Sequence, residues 1–147
     1  MKTKFALVAA AALVAGPVFA QEATGDAAAG EKAFRQCTTC HVVVNDAGET
    51  LAGNKAKVGP NLYKAPGRHA GRVEDFKYSK SMSEAGENGL IWTEEEFVKY
   101  VQDPTAYLRA YLDDDKARGA MTHKVRKEQE AIDVYAYLAS LGVTEPE

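Results

Sequence analysis

The stretch that most constrains this chain is Cys-Thr-Thr-Cys-His at residues 37–41. Positions i, i+3 and i+4 share one face of a helical turn, so Cys37, Cys40 and His41 can address one flat object from the same side. C-x-x-C-H is the attachment signature of haem c. Read so, Cys37 and Cys40 form two thioethers to the porphyrin, and His41 gives the iron its proximal nitrogen. Thr38 and Thr39 are small enough for the loop to lie against a ring. Two other readings compete. A redox-active C-x-x-C dithiol needs a preceding strand and a βαβ setting, and neither is legible. A structural zinc site takes four ligands. The 2 cysteines and 3 histidines contain no second C-x-x-C and no H-x-x-x-H to complete one.

The start of the chain supports export. Met1-Lys2-Thr3-Lys4 is a short positive region, residues 5–15 are apolar, Gly16-Pro17 breaks the run, and Val18-Phe19-Ala20 is a small-residue cleavage site. A membrane-spanning helix needs about 20 apolar residues, so this run reads as a removable signal rather than an anchor. The expectation is a signal peptide at 1–20 cleaved after Ala20, one domain at 21–147, a periplasmic destination and no stable membrane insertion.

Loss of Lys2 and Lys4 leaves 16 basic against 21 acidic residues, a net charge of −5. That balance argues against nucleic acid as a bulk partner. The charge is unevenly placed. Residues 55–80 carry seven basic groups against two acidic ones, and residues 116–127 carry five basic groups and no acidic one. Such asymmetry can steer an oppositely charged protein toward one face.

Local patterns predict helices joined by long loops. Asp26 is a plausible N-cap for a helix starting at Ala27. Gly30, Ala33, Phe34 and Cys37 then make a narrow stripe. Glycine inside a helix costs about 1 kcal/mol relative to alanine, so Gly30 implies a close helix crossing, with Val134, Tyr137 and Leu138 as partners. Residues 45–90 are irregular, which a compact domain tolerates when loops wrap a large apolar body; residues 75–81 could hold one short helix or turn. Thr93 and Glu96 form a capping box before the apolar face Phe97, Tyr100 and Val101. Asp103 caps a further helix with Pro104 at its first position. The acidic run Asp113-Asp114-Asp115 ends it, since the macrodipole disfavours anions at a C-terminus. A last helix covers about 127–141, with Gly142 as its stop. No strand-like alternation stands out. The fold class is all-α, with about four to five helices.

A haem iron bound by His41 has a second axial position, and the exported chain offers Met82, Met121, His69 and His123 for it. Electron transfer favours a filled position, and gas binding or peroxidatic chemistry an open one. Met121 sits in a glycine-containing loop between two helices, with His123 two residues on.

These features together make the chain resemble the class I c-type cytochromes, most closely the longer bacterial cytochrome c2 type. The resemblance spans residues 25–142. It rests on Gly30 and Phe34 before Cys37-x-x-Cys40-His41; on Val58-Gly59-Pro60-Asn61-Leu62-Tyr63; on Gly67-Arg68, Phe76-Lys77-Tyr78 and Leu90-Ile91-Trp92; and on Asp103-Pro104-x-x-Tyr107-Leu108, Met121-Thr122 and Tyr135-Ala136-Tyr137-Leu138. It implies a cytochrome c fold around one covalent haem c, with His41 and Met121 as axial ligands. The Pro60 carbonyl would accept the Nδ1 proton of His41. Arg68, Tyr78 and Trp92 would serve a buried propionate, and Tyr107 would lie near the Met121 sulfur. It further implies a monomeric electron carrier rather than an enzyme, fed by a bc1-type quinol–cytochrome c oxidoreductase and drained by a photosynthetic reaction centre, an oxidase or a peroxidase. Two departures stand out: the family usually has phenylalanine where this chain has His123, and often lysine where it has Ala120.

Overall fold

The computed structural model describes residues 23–145; the expected signal segment lies outside them. The described residues form helix α1 (Ala27–Phe34), strands β1 (Val43–Val44) and β2 (Thr50–Ala52), and helices α2 (Lys80–Glu87), α3 (Glu94–Gln102), α4 (Pro104–Leu112) and α5 (Glu128–Leu141). No helix among them is long and apolar enough to cross a membrane.

Helix α1 begins where the Asp26 side chain accepts the N–H groups of Ala28 and Ala29, at 2.8 and 3.1 Å. It ends at Phe34, and tight turns carry the chain on. The Cys37 N–H donates to Phe34 O at 2.8 Å and the His41 N–H to Cys37 O at 2.9 Å. The motif is therefore one helical turn hung just beyond α1. The crossing implied by Gly30 is present and close: a Cβ there would lie 1.9 Å from the Asp133 carbonyl oxygen of α5. Phe34, 1% exposed, packs its ring 5.6 Å from that of Tyr137. Burying such a side chain stabilises the fold by roughly 1.5–3 kcal/mol, so the crossing fixes the wall from which the cysteines project.

Helices α3 and α4 meet at Asp103, whose carboxylate accepts the Ala106 N–H at 3.2 Å, with Pro104 opening α4. Helix α4 stops at Asp113, which takes a left-handed φ of 51°. Residues 113–127 then form the loop that carries Met121 before α5 begins.

Three local expectations change. Val43–Val44 and Thr50–Ala52 pair as an antiparallel hairpin; strands this short show no period in the sequence. The helix expected near 75–81 lies over Lys80–Glu87, where Ser79 accepts the Met82 N–H at 3.2 Å. Met82 is thus on a helix rather than in a loop, 6% exposed and part of the core. The capping box of α3 is half formed. Thr93 accepts the Glu96 N–H at 3.3 Å, but the Glu96 carboxylate turns away and accepts the Tyr107 hydroxyl.

Candidate haem site

The proximal wall is built by backbone closure on the His41 ring. The Gly59 N–H donates to Cys40 O at 2.7 Å. A Cβ at Gly59 would fall 2.3 Å from His41 Cε1, so only glycine lets the chain pass so near the imidazole. His41 Nδ1 lies 2.9 Å from Pro60 O. Only a protonated ring nitrogen can donate to a carbonyl, so this contact puts the proton on Nδ1 and leaves the Nε2 lone pair free. Burial lowers the His41 pKa and outweighs the opposing pull of Pro60, which keeps the ring in its neutral, ligating form.

Pro60 is itself held from behind. The Asn61 side chain exchanges two hydrogen bonds with the Val44 backbone, at 2.9 and 2.8 Å, and accepts the Tyr63 N–H at 3.1 Å. Arg68 donates to Tyr63 O at 2.8 Å and to Asn61 O at 3.2 Å. Its burial lowers the guanidinium pKa.

Cys37, Cys40, His41, Pro60, Arg68, Tyr78, Trp92 and Met121 all border one open, mostly apolar cavity. Tyr78 accepts the Val73 N–H at 3.3 Å, which leaves its own hydroxyl proton to donate. Burial is the main cause of its raised pKa, so that proton stays on. The Trp92 N–H of the backbone donates to Arg68 O at 2.9 Å, tying two of the expected propionate donors together. Among the sixth-position candidates, Met121, Met82 and His123 border the cavity, whereas the exposed His69 does not. His123 is exposed, and its Nε2 lies 2.8 Å from Gln36 Oε1.

Tyr107 stands one layer behind the wall. Its hydroxyl is on Glu96, and its ring meets Tyr100 edge-on with centroids 5.8 Å apart. Tyr100 occupies the wall itself, 9% exposed, with its ring 4.9 Å from Trp92. Sequence reasoning placed Tyr100 merely on an apolar helix face. Nothing local separates it from Tyr107, since both lie on the inward sides of adjoining helices.

The setting of Cys37 speaks against a dithiol. A reactive dithiol needs a lowered thiol pKa. Here burial, and then Cys40, pushes the Cys37 thiol up to about 11. Among the described residues no cluster of three or more His, Cys, Asp or Glu could hold a metal ion directly. Two free cysteines and a neutral imidazole on one apolar cavity, with guanidinium and phenol donors beside them, fit a tethered haem with carboxylate side arms.

No protein-family model matches the chain. The cytochrome c2 of Rhodovulum adriaticum is 79% identical over 124 residues, which cover 84% of this chain and 98% of that protein. A cytochrome c2 of Cereibacter sphaeroides is 55% identical over 139 residues, 94% of each chain. The crystal structure of cytochrome c2 from Rhodobacter sphaeroides matches with a TM-score of 0.80 at 55% identity, covering 82% of this chain and 99% of that one. Likeness of this extent, on a fold that gathers both cysteines and the histidine at one apolar cavity, makes the assignment: the chain belongs to the cytochrome c2 family of class I c-type cytochromes, electron carriers that hold one haem c covalently.

Proposed function

We propose that this chain is a soluble, monomeric, periplasmic one-electron carrier, residues 21–147 after removal of a signal at 1–20, with its iron held between His41 and Met121. Cys37 and Cys40 would supply the thioethers. The observation that carries this reading is the shared cavity: His41, its Nδ1 committed to Pro60, and Met121 both border it. The haem supplies a ferrous–ferric couple and makes no bond to a substrate. The chain's own groups orient and tune it. Pro60 keeps the His41 ring at a fixed angle and raises its basicity. Arg68, Tyr78 and Trp92 donate to a propionate that would otherwise be buried unpaired. A thioether ligand in an apolar wall raises the reduction potential relative to a second histidine.

Electrons would arrive from a bc1-type quinol oxidoreductase and leave to a reaction centre, an oxidase or a peroxidase. Among the described residues Lys55, Lys57, Arg72, Lys77, Lys80 and Arg118 are exposed and form no ion pair within the chain. They leave a basic surface for brief, salt-sensitive docking to acidic proteins. The optical spectrum of oxidised holoprotein tests the ligand set. A weak red sulfur-to-iron band should vanish in Met121→Ala and persist in His123→Ala. Its persistence in Met121→Ala would overturn the assignment, and rapid carbon monoxide binding to reduced protein at neutral pH would favour a gas-binding haem protein instead.

A further inference from the structure

Four oxidisable rings stand in successive contact, from the cavity wall to the half-buried Tyr111. Trp92 and Tyr100, both on the cavity wall, have centroids 4.9 Å apart. Tyr100 and Tyr107 follow at 5.8 Å, edge to face, and Tyr107 stacks on Tyr111 at 5.9 Å. Tyr111 is half-buried, and its hydroxyl donates to Asn88 O at a long 3.4 Å. We propose that Trp92, Tyr100, Tyr107 and Tyr111 form a hole-transfer route that carries oxidising equivalents, left in the haem cavity by hydrogen peroxide, out to solvent.

The route is selective among the aromatic contacts of the cavity. Phe34 leads to Tyr137, Phe97 to Tyr135, and Tyr78 to Phe76. Each of those pairs contains a phenylalanine, which is far harder to oxidise than a phenol or an indole. Among the described residues, only the Trp92 line is oxidisable at every step.

Oxidation of a phenol near neutral pH is favourable when its proton has somewhere to go. Of the three tyrosines in the line, Tyr107 has its hydroxyl on a carboxylate, that of Glu96. When a hole reaches it, Tyr107 gives one electron to Tyr100 and its phenolic proton to Glu96, becoming a neutral phenoxyl. That phenoxyl takes an electron from Tyr111 and recovers the proton from Glu96, while Tyr111 releases its own proton to water. The balance is one hydrogen peroxide and two phenols giving two waters and two phenoxyls, with one electron and one proton leaving each ring. A surface phenoxyl can be quenched by soluble reductants before the haem or its ligands are damaged.

The test treats holoprotein with hydrogen peroxide in the presence of a nitroso spin trap and locates the adducts by peptide mass mapping. The expected adduct is on Tyr111. Tyr107→Phe keeps a ring in the stack but removes the phenol; adducts on Tyr111 should be lost and those on Trp92 or Tyr100 should rise. Glu96→Gln keeps a hydrogen-bond acceptor that cannot take a proton, and the Tyr111 yield should fall. A purely structural role for the stack would move neither yield. If Tyr107→Phe does not fold, Tyr111→Phe decides: the adduct should retreat to Tyr107. Tyr111 adducts at wild-type yield in Tyr107→Phe, or adducts found instead on Tyr63 or Tyr137, would overturn the proposal. Peroxide reaches the iron only when Met121 lets go, so the total adduct yield follows the opening of that loop, but which ring carries the adduct does not; adducts on the wrong ring would therefore leave the ligand assignment standing.

Discussion

Behind Cys37 the chain is locked backbone against backbone, whereas around Met121 it hangs from side chains. At the α1–α5 crossing, Gly30 leaves no room for a methyl group beside the Asp133 carbonyl. Asp133 in turn accepts the Asp26 N–H and the Gln129 side chain, each at 2.9 Å. The loop at 113–127 is packed less closely: a Cβ at its Gly119 would meet nothing nearer than 3.5 Å. Its Ala117 carbonyl accepts from Arg109 at 3.1 Å, its Gly119 N–H donates to Thr105 Oγ1 at 3.3 Å, and its Arg118 N–H donates to Ser81 Oγ at 3.0 Å. Past Gly119, the next backbone anchor is the Val125 N–H on Val101 O at 2.9 Å. The proposed thioether ligand thus sits in a span fastened only by the exposed side chains of His123 and Lys124. A wall set by steric exclusion would fix where the haem is attached, and a wall set by exchangeable hydrogen bonds would let the proposed far ligand come and go.

The largest effect should come from filling the crossing. Gly30→Ala gains about 1 kcal/mol of helix propensity, but the added methyl meets a backbone oxygen that cannot rotate away. Overpacking of this kind costs about 1–3 kcal/mol, occasionally more, and contact at 1.9 Å belongs at the upper end. A net loss of about 2 kcal/mol in denaturant unfolding is expected; an unchanged midpoint would mean that the helices separate freely. Next comes Asp133→Ala. It removes the partner of the Asp26 N–H at the start of α1, a part-buried hydrogen bond worth about 1 kcal/mol. Both variants should lower global stability while the sulfur-to-iron band survives up to the unfolding transition.

Breaking the loop's ties should do the reverse. Thr105→Val and Arg109→Leu each remove one partner at a half-buried site, worth about 1 kcal/mol. That amounts to roughly a fivefold shift in a local opening equilibrium. Imidazole binding to the ferric protein should quicken by about that factor, with the denaturant midpoint barely moved. Equal losses in both measurements would erase the distinction between the walls.

How much of this contrast the sequence discloses follows from the range of each interaction. Asp26, Thr93, Asp103 and Pro104 act within a turn of themselves, and each cap forms where it was expected. Gly30 was legible because glycine inside a helix carries a cost that only a close neighbour explains. The cysteines and His41 were legible because their spacing is the chemistry. Glu96 was misread because two donors competed for its carboxylate: the capping box offered the Thr93 N–H, which here donates to Ile91 O at 2.8 Å instead, and Tyr107 offered a half-buried phenol eleven residues away. That Tyr100, and not Tyr107, borders the cavity was not legible for a related reason. Their order along the cavity depends on how α4 turns after Pro104, a tertiary angle with no local signature. The hairpin at Val43–Val44 was likewise invisible, since its pairing owes as much to the Asn61 side chain as to its own two residues.

The finest separation of the two walls is electrostatic. Asp103 lies 2.6 Å from Lys124, three residues beyond Met121. That hydrogen bond, and then the Ala106 N–H, holds the Asp103 carboxyl below its ordinary value. A carboxyl whose pKa is depressed on folding contributes stability that is complete above its unfolded value, about 3.9, and is lost as pH falls through the folded one. The sulfur-to-iron band should therefore carry a small acid-induced loss that begins below about pH 4. Asp103→Asn keeps an acceptor for the α4 cap but removes the charge, so this component of the titration should disappear while α4 remains. Because the pair is exposed, salt should weaken it at neutral pH and shrink the difference between wild type and variant. Among the described residues the ties of the α1–α5 wall include no such exposed ion pair, and its unfolding should not respond to salt. An Asp103→Asn protein with the same acid profile as wild type would show that the loop is fastened by its hydrogen bonds alone.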